Sequence, residues 1–561
     1  MASQFVSPGP HGLFRRGIFI ALILLAGIAP ATRTRAQEST PWSPVIHMFA
    51  PPNWINDPNG PILVDGQYNL FFQSNPSGDQ WGHMSWGHAV STDLAHWKLL
   101  PVAIPEENGV MIFSGSTVED RDNTSGLCGA AGQKIPGCLV ALYTGRVAAD
   151  AASTPPIPEK QAQNLAVSKD AGKTWTKYSG NPVLDLGLKD FRDPKVIWHA
   201  QTQSWVMVVA LPDQHKVRFY RSKNLVKWEL ASEFGPAGAI GGVWECPDLM
   251  ELKVRDWKGK PEGFSRWVLN VNLNPGGPAG GSGDQYFVGS FDGYRFYEDH
   301  PGSGPHWVDR GRDFYAATSF SNIPADQDRL LISWMSNWLY ADKLPSLPGR
   351  GEMTVARRVF LRESAPKTVT SSQEPLSLVQ LPVLPVPLQK QDTAWFGNAK
   401  FQSVTDANAH LAAAKLHGSV YLLRLTLAAG DTAEAGIRLR RSSLNPDEDA
   451  TEETVIGIDR TSGRIFVDRS HSGRVDWSPG FATRVWAPLR HPQAVAITME
   501  IVVDHNSIEV FAEDGETVLT DLIYPAATST GLAFYASQTP PGSAPATIGN
   551  VEFLPLDNVT K

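Results

Sequence analysis

The chain has 561 residues, 42% of them hydrophobic and 19% charged, with a formal net charge of −8. That length calls for several domains' worth of core, and the acidic balance argues against nucleic acid or an anionic surface as partner. Eighteen tryptophans, 49 glycines and 43 prolines, with no sustained helical periodicity, favour an all-β architecture.

Residues 1–36 read as a signal peptide. Arg15 and Arg16 supply a positive flank, and GIFIALILLAGIA (17–29) is an apolar run too short for a comfortable membrane span. Thr34 and Ala36 suit the positions before a cut, with Ala31 a second candidate. Cleavage would remove four arginines and no acids, so the net charge would move from −8 by four to −12. No later segment is long and apolar enough to span a bilayer. The expectation is a secreted protein, extracellular or periplasmic, with no membrane association once the signal is gone.

The stretch NWINDPNGP (53–61) then combines turn residues with an apolar pair and one carboxylate, Asp57. Two comparable places follow: Asp193 in FRDPK (191–195) and Glu245 in VWECPDL (243–249). Between and after them one pattern recurs. WGHAVSTDLAHW ends at Trp97, NLAVSKDAGKTW at Trp175, VRFYRSKNLVKW at Trp228 and QYFVGSFDGYRF at Phe296. Each reads as a short strand, a turn capped by the Asp or Asn side chain, and an aromatic opening the next strand. Four such units are what the outer hairpins of a β-propeller produce, with a fifth blade expected around ISWMSNW (332–338) and MTVARRVFL. Each acid falls about one blade's length before its aromatic, where the innermost strand belongs. Three carboxylates would therefore meet in one axial cavity.

Crowded carboxylates push each other's proton affinities apart, which suits a retaining glycosidase: one attacks while another protonates the leaving oxygen. Trp54, Trp81, Trp86 and Trp244 could wall a sugar ring, although Trp86, like Trp97, Trp175 and Trp228, reads better as an aromatic packing between blades, and Asn56, Gln73 and Arg192 add hydrogen-bonding groups. Individually each acid has a plain structural explanation, such as Asp57 capping its turn or Asp193 pairing with Arg192; their shared blade position carries the functional one. His83 and His88 are not spaced as metal ligands, and neither metal nor cofactor is expected. Cys128 and Cys138 could pair across a short loop, leaving Cys246 single. Asn123 and Asn558 sit in glycosylation sequons. SAPKTVTSSQEPLSLVQLPVLPVPLQKQ reads as a linker or crossing segment, and the alternating strands after it as a β-sandwich. The domains expected are therefore a signal (1–36), a propeller (45–365), a linker (366–395) and a sandwich (396–561).

WINDPNG, FFQSNP, WGHMSWGHAVSTDL, FSG, FRDP and WECPDL, in that order, resemble glycoside hydrolase family 32, the invertases, inulinases and levanases. VDHNSIEVFAEDGETVLTDLIYP resembles the family's C-terminal sandwich. EFGPAGAIGGVWECPDL and LNPGGPAGGSGDQYFVGSFDG look most like the exo-inulinase and levanase branch. The resemblance implies a five-bladed propeller followed by a C-terminal sandwich, and hydrolysis of β-fructosides with retention, on fructans (inulin or levan) and sucrose. It implies Asp57 as nucleophile, Glu245 as general acid and then base, and Asp193 as transition-state stabiliser. Asn56, Gln73, Trp81, Phe113, Ser114, Arg192 and Trp338 would hold the terminal fructose. The chain departs from the family pattern at Gly349, where many relatives carry tryptophan, and at Ala356, where they carry proline. A fructosyltransferase on the same scaffold, a sialidase-like propeller (SKDAGKTW matches that group's turn) and a non-catalytic carbohydrate-binding protein are the alternatives.

Overall fold

A computed structural model describes residues 41–556, apart from 131–132, 151, 346–348, 365–375, 386–393, 396–399, 402 and 538–541. The expected signal segment and the Asn558 sequon lie outside the described residues. The fold is all-β.

Four antiparallel meanders come first. They are β1–β4 (Trp54–Val64, Gln67–Asn75, Ser85–Ser91, Lys98–Ile104) and β5–β8 (Val110–Glu119, Leu139–Val147, Lys160–Ser168, Thr176–Lys177). Next come β9–β12 (Arg192–His199, Ser204–Leu211, Lys216–Ser222, Glu229–Phe234) and β13–β17 (Val243–Arg255, Pro261–Asn274, Gly283–Phe291, Phe296–Glu298, His306–Trp307). A fifth meander is β18–β21 (Tyr315–Ser319, Arg329–Trp334, Arg357–Glu363, Leu376–Pro382). Its β20 joins the end of β13 through a short parallel pairing, Val254 with Leu361 and Arg255 with Arg362. The first strands pack in a closed cycle: β1 against β5, β5 against β9, β9 against β13, β13 against β18, and β18 back against β1.

The repeated turns lie between third and fourth strands and work as their residue types predict. Asp93 Oδ1 accepts the N–H groups of Ala95 and His96, and Asp170 Oδ1 accepts that of Thr174. Asn224 and Asp292 do the same for Lys227 and Arg295. The indoles of Trp97, Trp175 and Trp228 each close their turn by donating to a carbonyl three residues back.

Three expectations need revising. The first strand of the fifth meander is Tyr315–Ser319, upstream of ISWMSNW, which only enters β19. Inside the segment read as a linker or crossing segment, Leu376–Pro382 is a strand paired along the whole of β20; Leu378 and Val379 are buried, and Pro382 falls at the last pair, where it does not interrupt the ladder. The C-terminal region also contains a helix, α1 (Val404–Ala414), whose alanine-rich sequence is capped by Ser403 accepting from the Asp406 N–H.

In that region a sheet carrying Tyr421–Ala428, Ile497–Val503, Ser507–Ala512 and Thr517–Leu522 shares one apolar core with a sheet carrying Glu434–Arg441, Glu453–Asp459, Arg464–His471, Arg484–Pro488 and Gly531–Ala536. Fully buried ion pairs tie it to the preceding sheets: Arg357 bridges Asp309 (3.0 Å) and Glu509 (2.5 Å), and Arg469 meets Asp313 at 2.6 Å. Cys128 and Cys138 are joined as a disulfide beside β6.

Candidate active site

Each of the five first strands breaks its ladder at the same level. Between β1 and β2, Ile55 faces Ser74 and Pro58 faces Phe72, so Asn56 and Asp57 share one partner position. The same two-against-one irregularity falls at Phe113–Ser114 in β5, Asp193–Pro194 in β9, Cys246–Pro247 in β13 and Ala316–Ala317 in β18. A bulge bends its strand and re-aims a side chain. Pro58, Pro194 and Pro247 sit at three of them, where a missing N–H costs no ladder bond. NWINDPNGP is thus largely strand rather than turn. Its Gly60, at φ +45°, lies so close to β5 that a Cβ would stand 2.3 Å from Thr117 Oγ1.

The bulges gather the three acids. Asp57 accepts from Ser114 Oγ at 2.6 Å and from Asn56 Nδ2 at 3.0 Å, and Asn56 is itself held by the Trp54 indole at 2.8 Å. Asp193, at φ +67°, accepts the Cys246 N–H at 2.9 Å, while its own N–H donates to Thr144 Oγ1 at 2.9 Å. Glu245 takes Arg192 Nε at 3.0 Å and Nη2 at 2.9 Å on one oxygen, and the Tyr315 hydroxyl on the other. Arg192 is braced in turn by Asp190 (2.7 Å) and Gln161 (3.2 Å). Its adjacent Asp193 stands at 4.0 Å, a longer ion pair than the contacts Arg192 makes with Glu245 and Asp190. The Cys246 thiol lies 3.6 Å from both Asp57 Oδ2 and Asp193 Oδ2.

Burial dominates the electrostatics. It raises the Asp57 pKa, aided by the Glu245 charge and opposed by the Ser114 and Asn56 hydrogen bonds. Burial pushes Asp193 up to about 7; Arg192 pulls it down, and the charges of Glu245 and Asp57 push it further up. Burial and the three carboxylates also raise the Cys246 thiol, and burial with Glu245 raises the Tyr315 phenol. Such a cluster retains a proton near neutrality and can both donate it and present a charged oxygen.

Of the other expected residues, Ser114 and Asn56 touch Asp57 directly. Gln73 is buried opposite the first bulge and donates to the Ile112 carbonyl at 3.0 Å. Trp81 is exposed and edge-on to Phe113, with ring centroids 6.1 Å apart. Trp338 stacks on Trp54 at 6.0 Å, and both belong, with Phe113, Tyr315 and Cys246, to one cluster around the acids. Trp86 and Trp244 are fully buried between sheets, with their indoles bonded to the carbonyls of Phe113 and Ala239, and wall no cavity. Sequence reasoning missed Tyr315 and the position of Cys246. The available signal for Cys246 was its place before Pro247, matching Asp57–Pro58 and Asp193–Pro194; Tyr315 carries none.

The family model of the glycosyl hydrolases family 32 N-terminal domain matches residues 47–373, and that of the C-terminal domain matches 389–553. A levanase of Bacillus subtilis is 41% identical over 528 residues, 93% of this chain and 72% of that protein. An extracellular exo-inulinase of Aspergillus awamori is 38% identical over 537 residues, 90% of this chain and 93% of that protein. The crystal structure of an exo-inulinase from that organism superposes with a TM-score of 0.77 at 34% identity, covering 92% of this chain and 98% of that one. A β-fructofuranosidase from Schwanniomyces occidentalis, complexed with fructosyl-erythritol, gives 0.74 at 29% identity, covering 91% of this chain and 97% of that one. With both family domains matched in order along nearly the whole described chain, the protein belongs to glycosyl hydrolase family 32.

Proposed function

We propose that the chain is a secreted, retaining exo-β-fructosidase that releases terminal β-D-fructofuranosyl units from fructans and sucrose. The observation that carries this is the convergence of Asp57, Asp193 and Glu245, from three separate sheets, at one level of a ring of first strands. Levanase and exo-inulinase relatives supply the substrate class. The closed cycle of β1, β5, β9, β13 and β18 supports a five-bladed propeller over about 45–365, completed by β21, with a β-sandwich over 396–561. The Cys128–Cys138 disulfide and the extracellular relatives support secretion; among the described residues no helix is long and apolar enough to cross a membrane.

In this reading Asp57, oriented by Ser114 and Asn56, attacks the anomeric carbon. The glycosidic C–O bond breaks as Glu245 gives its proton to the departing oxygen. Glu245 then takes a proton from water, the water oxygen attacks the same carbon, and Asp57 is released. Two displacements retain the β configuration. Asp193 and Arg192 grip ring hydroxyls, Gln73 adds a hydrogen-bonding group, and Trp81, Phe113 and Trp338 form the apolar wall. The test is incubation with inulin, levan and sucrose in turn, following the first product by NMR. Fructose released from chain ends, initially as the β anomer, is expected; initial release of the α anomer, or of oligomers alone, overturns the assignment.

A further inference from the structure

The three acids stand at one level of the ring of first strands. Beside them a void of about 20 Å³ is lined by Ser114, Asp193, Cys246 and Lys195. It ends on a buried plug: Lys195 Nζ meets Asp248 Oδ2 at 2.8 Å and donates to the Ser319 carbonyl at 2.6 Å. Beyond the plug the axis opens again into a cavity of about 260 Å³ at the other end of the first strands. Trp198 on its wall is five residues along β9 from Asp193, about 16 Å at strand rise.

This second mouth has the chemistry of a sugar site. Trp198 is 40% exposed and rests edge-on against Trp205, with centroids 5.0 Å apart. Trp267 lines the same space, half-buried. Trp205 donates its indole N–H to Thr124 at 2.9 Å, whereas those of Trp198 and Trp267 have no protein partner among the described residues. Arg329 is half-buried there, with one hydrogen bond, to the Ile323 carbonyl at 3.0 Å, and no carboxylate at ion-pair distance among the described residues. Glu251 supplies an exposed carboxylate at the rim, beside Glu119, whose own carboxylate is taken by Arg121, Asn322 and the Gly137 N–H. Aromatic faces, free N–H donors and a carboxylate acceptor together suit a ring that carries hydroxyls, which donate as well as accept. A volume just under the roughly 300 Å³ at which drug-sized pockets begin suits one sugar ring rather than a chain.

We propose that this axial mouth is a second, non-catalytic saccharide site, gripping one sugar unit of a fructan on Trp198 with Arg329 and Glu251 on its hydroxyls. The choice of a fructan rests on the proposed function. The Asp57→Asn chain, unable to turn over, is titrated calorimetrically with nystose. Two binding events are expected. Adding Trp198→Ala removes one and leaves the other, and Arg329→Gln weakens that same event on the order of tenfold. In the unaltered background both substitutions keep sucrose turnover, which shows that the fold survives. A single event, or two events indifferent to both substitutions, overturns the site. Nystose hydrolysis by the unaltered chain tests the catalytic reading separately; where it proceeds and the titration shows one event, only the axial site falls.

Discussion

Arg192 holds Glu245 from 53 residues earlier in the chain, its Nε and Nη2 converging on one carboxylate oxygen at 3.0 and 2.9 Å. The other oxygen takes the Tyr315 hydroxyl. The carboxyl group proposed to give and regain a proton is therefore fixed from two meanders other than its own. Arg192→Lys keeps the charge but loses the planar fork, because a lysine cannot reproduce two parallel donors. It should lower kcat on sucrose on the order of a hundredfold, with little change in thermal midpoint. Steady-state kinetics with a melting curve checks this, and near-normal kcat would remove Arg192 from the mechanism.

Asp57→Ala and Glu245→Ala should each abolish nearly all turnover in a folded protein. They should differ with the leaving group. Glu245→Ala is expected to fall by about 10²–10⁴-fold on sucrose and much less on an activated aryl fructoside, whose oxygen departs without a proton. Asp57→Ala should be inactive on both. Equal losses for Glu245→Ala on the two substrates would reassign its role.

The proton held in the carboxylate cluster is expected to set the alkaline side of the activity profile. Asp193 is pushed up to about 7 by burial and by its acidic neighbours. The cluster is protonated below that value and loses its proton as pH rises through it, so kcat/KM should fall above about pH 7. Asp193→Asn, if it retains measurable activity, should move that limb. A profile flat to pH 9 would contradict the coupling.

Fold stability should also fall on the alkaline side, through His47. Its ring is buried between Asp504 (2.8 Å) and Glu509 (3.0 Å), and its pKa is about 10; burial alone would lower it, but the two carboxylates outweigh that. Its contribution is full below the unfolded value near 6.5 and is lost as pH rises through about 10. Buried Glu352, raised to about 8, acts in the same direction. Asp504, lowered to about 2, contributes above its unfolded value near 3.8 and stops contributing as pH falls through about 2. His47→Ala leaves buried Asp504 without its cation, while Glu509 keeps Arg357, and should cost about 3–5 kcal/mol, measured by denaturant unfolding at pH 6. Its stability should also vary less between pH 6 and 10 than that of the unaltered chain.

The Cys128–Cys138 bridge closes a short loop beside β6. Cys128→Ser should lower stability by about 2–4 kcal/mol while leaving KM for sucrose unchanged, since no residue gathered around the acids lies in that loop. A changed KM would show that the loop reaches the cavity.

Some of this was written locally in the chain. Asp57, Asp193 and Glu245 could be found because each sits in or beside a proline-marked bulge, and because the Ser-x-Asp turns downstream set a strand count that a reader can follow. The turns behave as their side chains require, since an Asp or Asn capping N–H groups within a few residues needs no distant partner. Tyr315, the true start of the fifth meander, could not be found in this way. YAATS carries no charge, turn or repeat, and its hydroxyl matters only because β18 closes the ring beside β13. Trp244 misled for the converse reason: it stands beside Glu245 in sequence, yet its side chain faces between sheets.

The capped turns, most of the strands and the positions of the three acids were legible along the chain, because they depend on interactions spanning a few residues. Tertiary structure alone decided which groups meet: Arg192 with Glu245, Cys246 between two aspartates, Lys195 as a plug between two cavities. Those meetings depend on a ring of strands closing on itself. Only closure removes water from the axis, and burial there is what turns ordinary carboxylates into a cluster that shares protons.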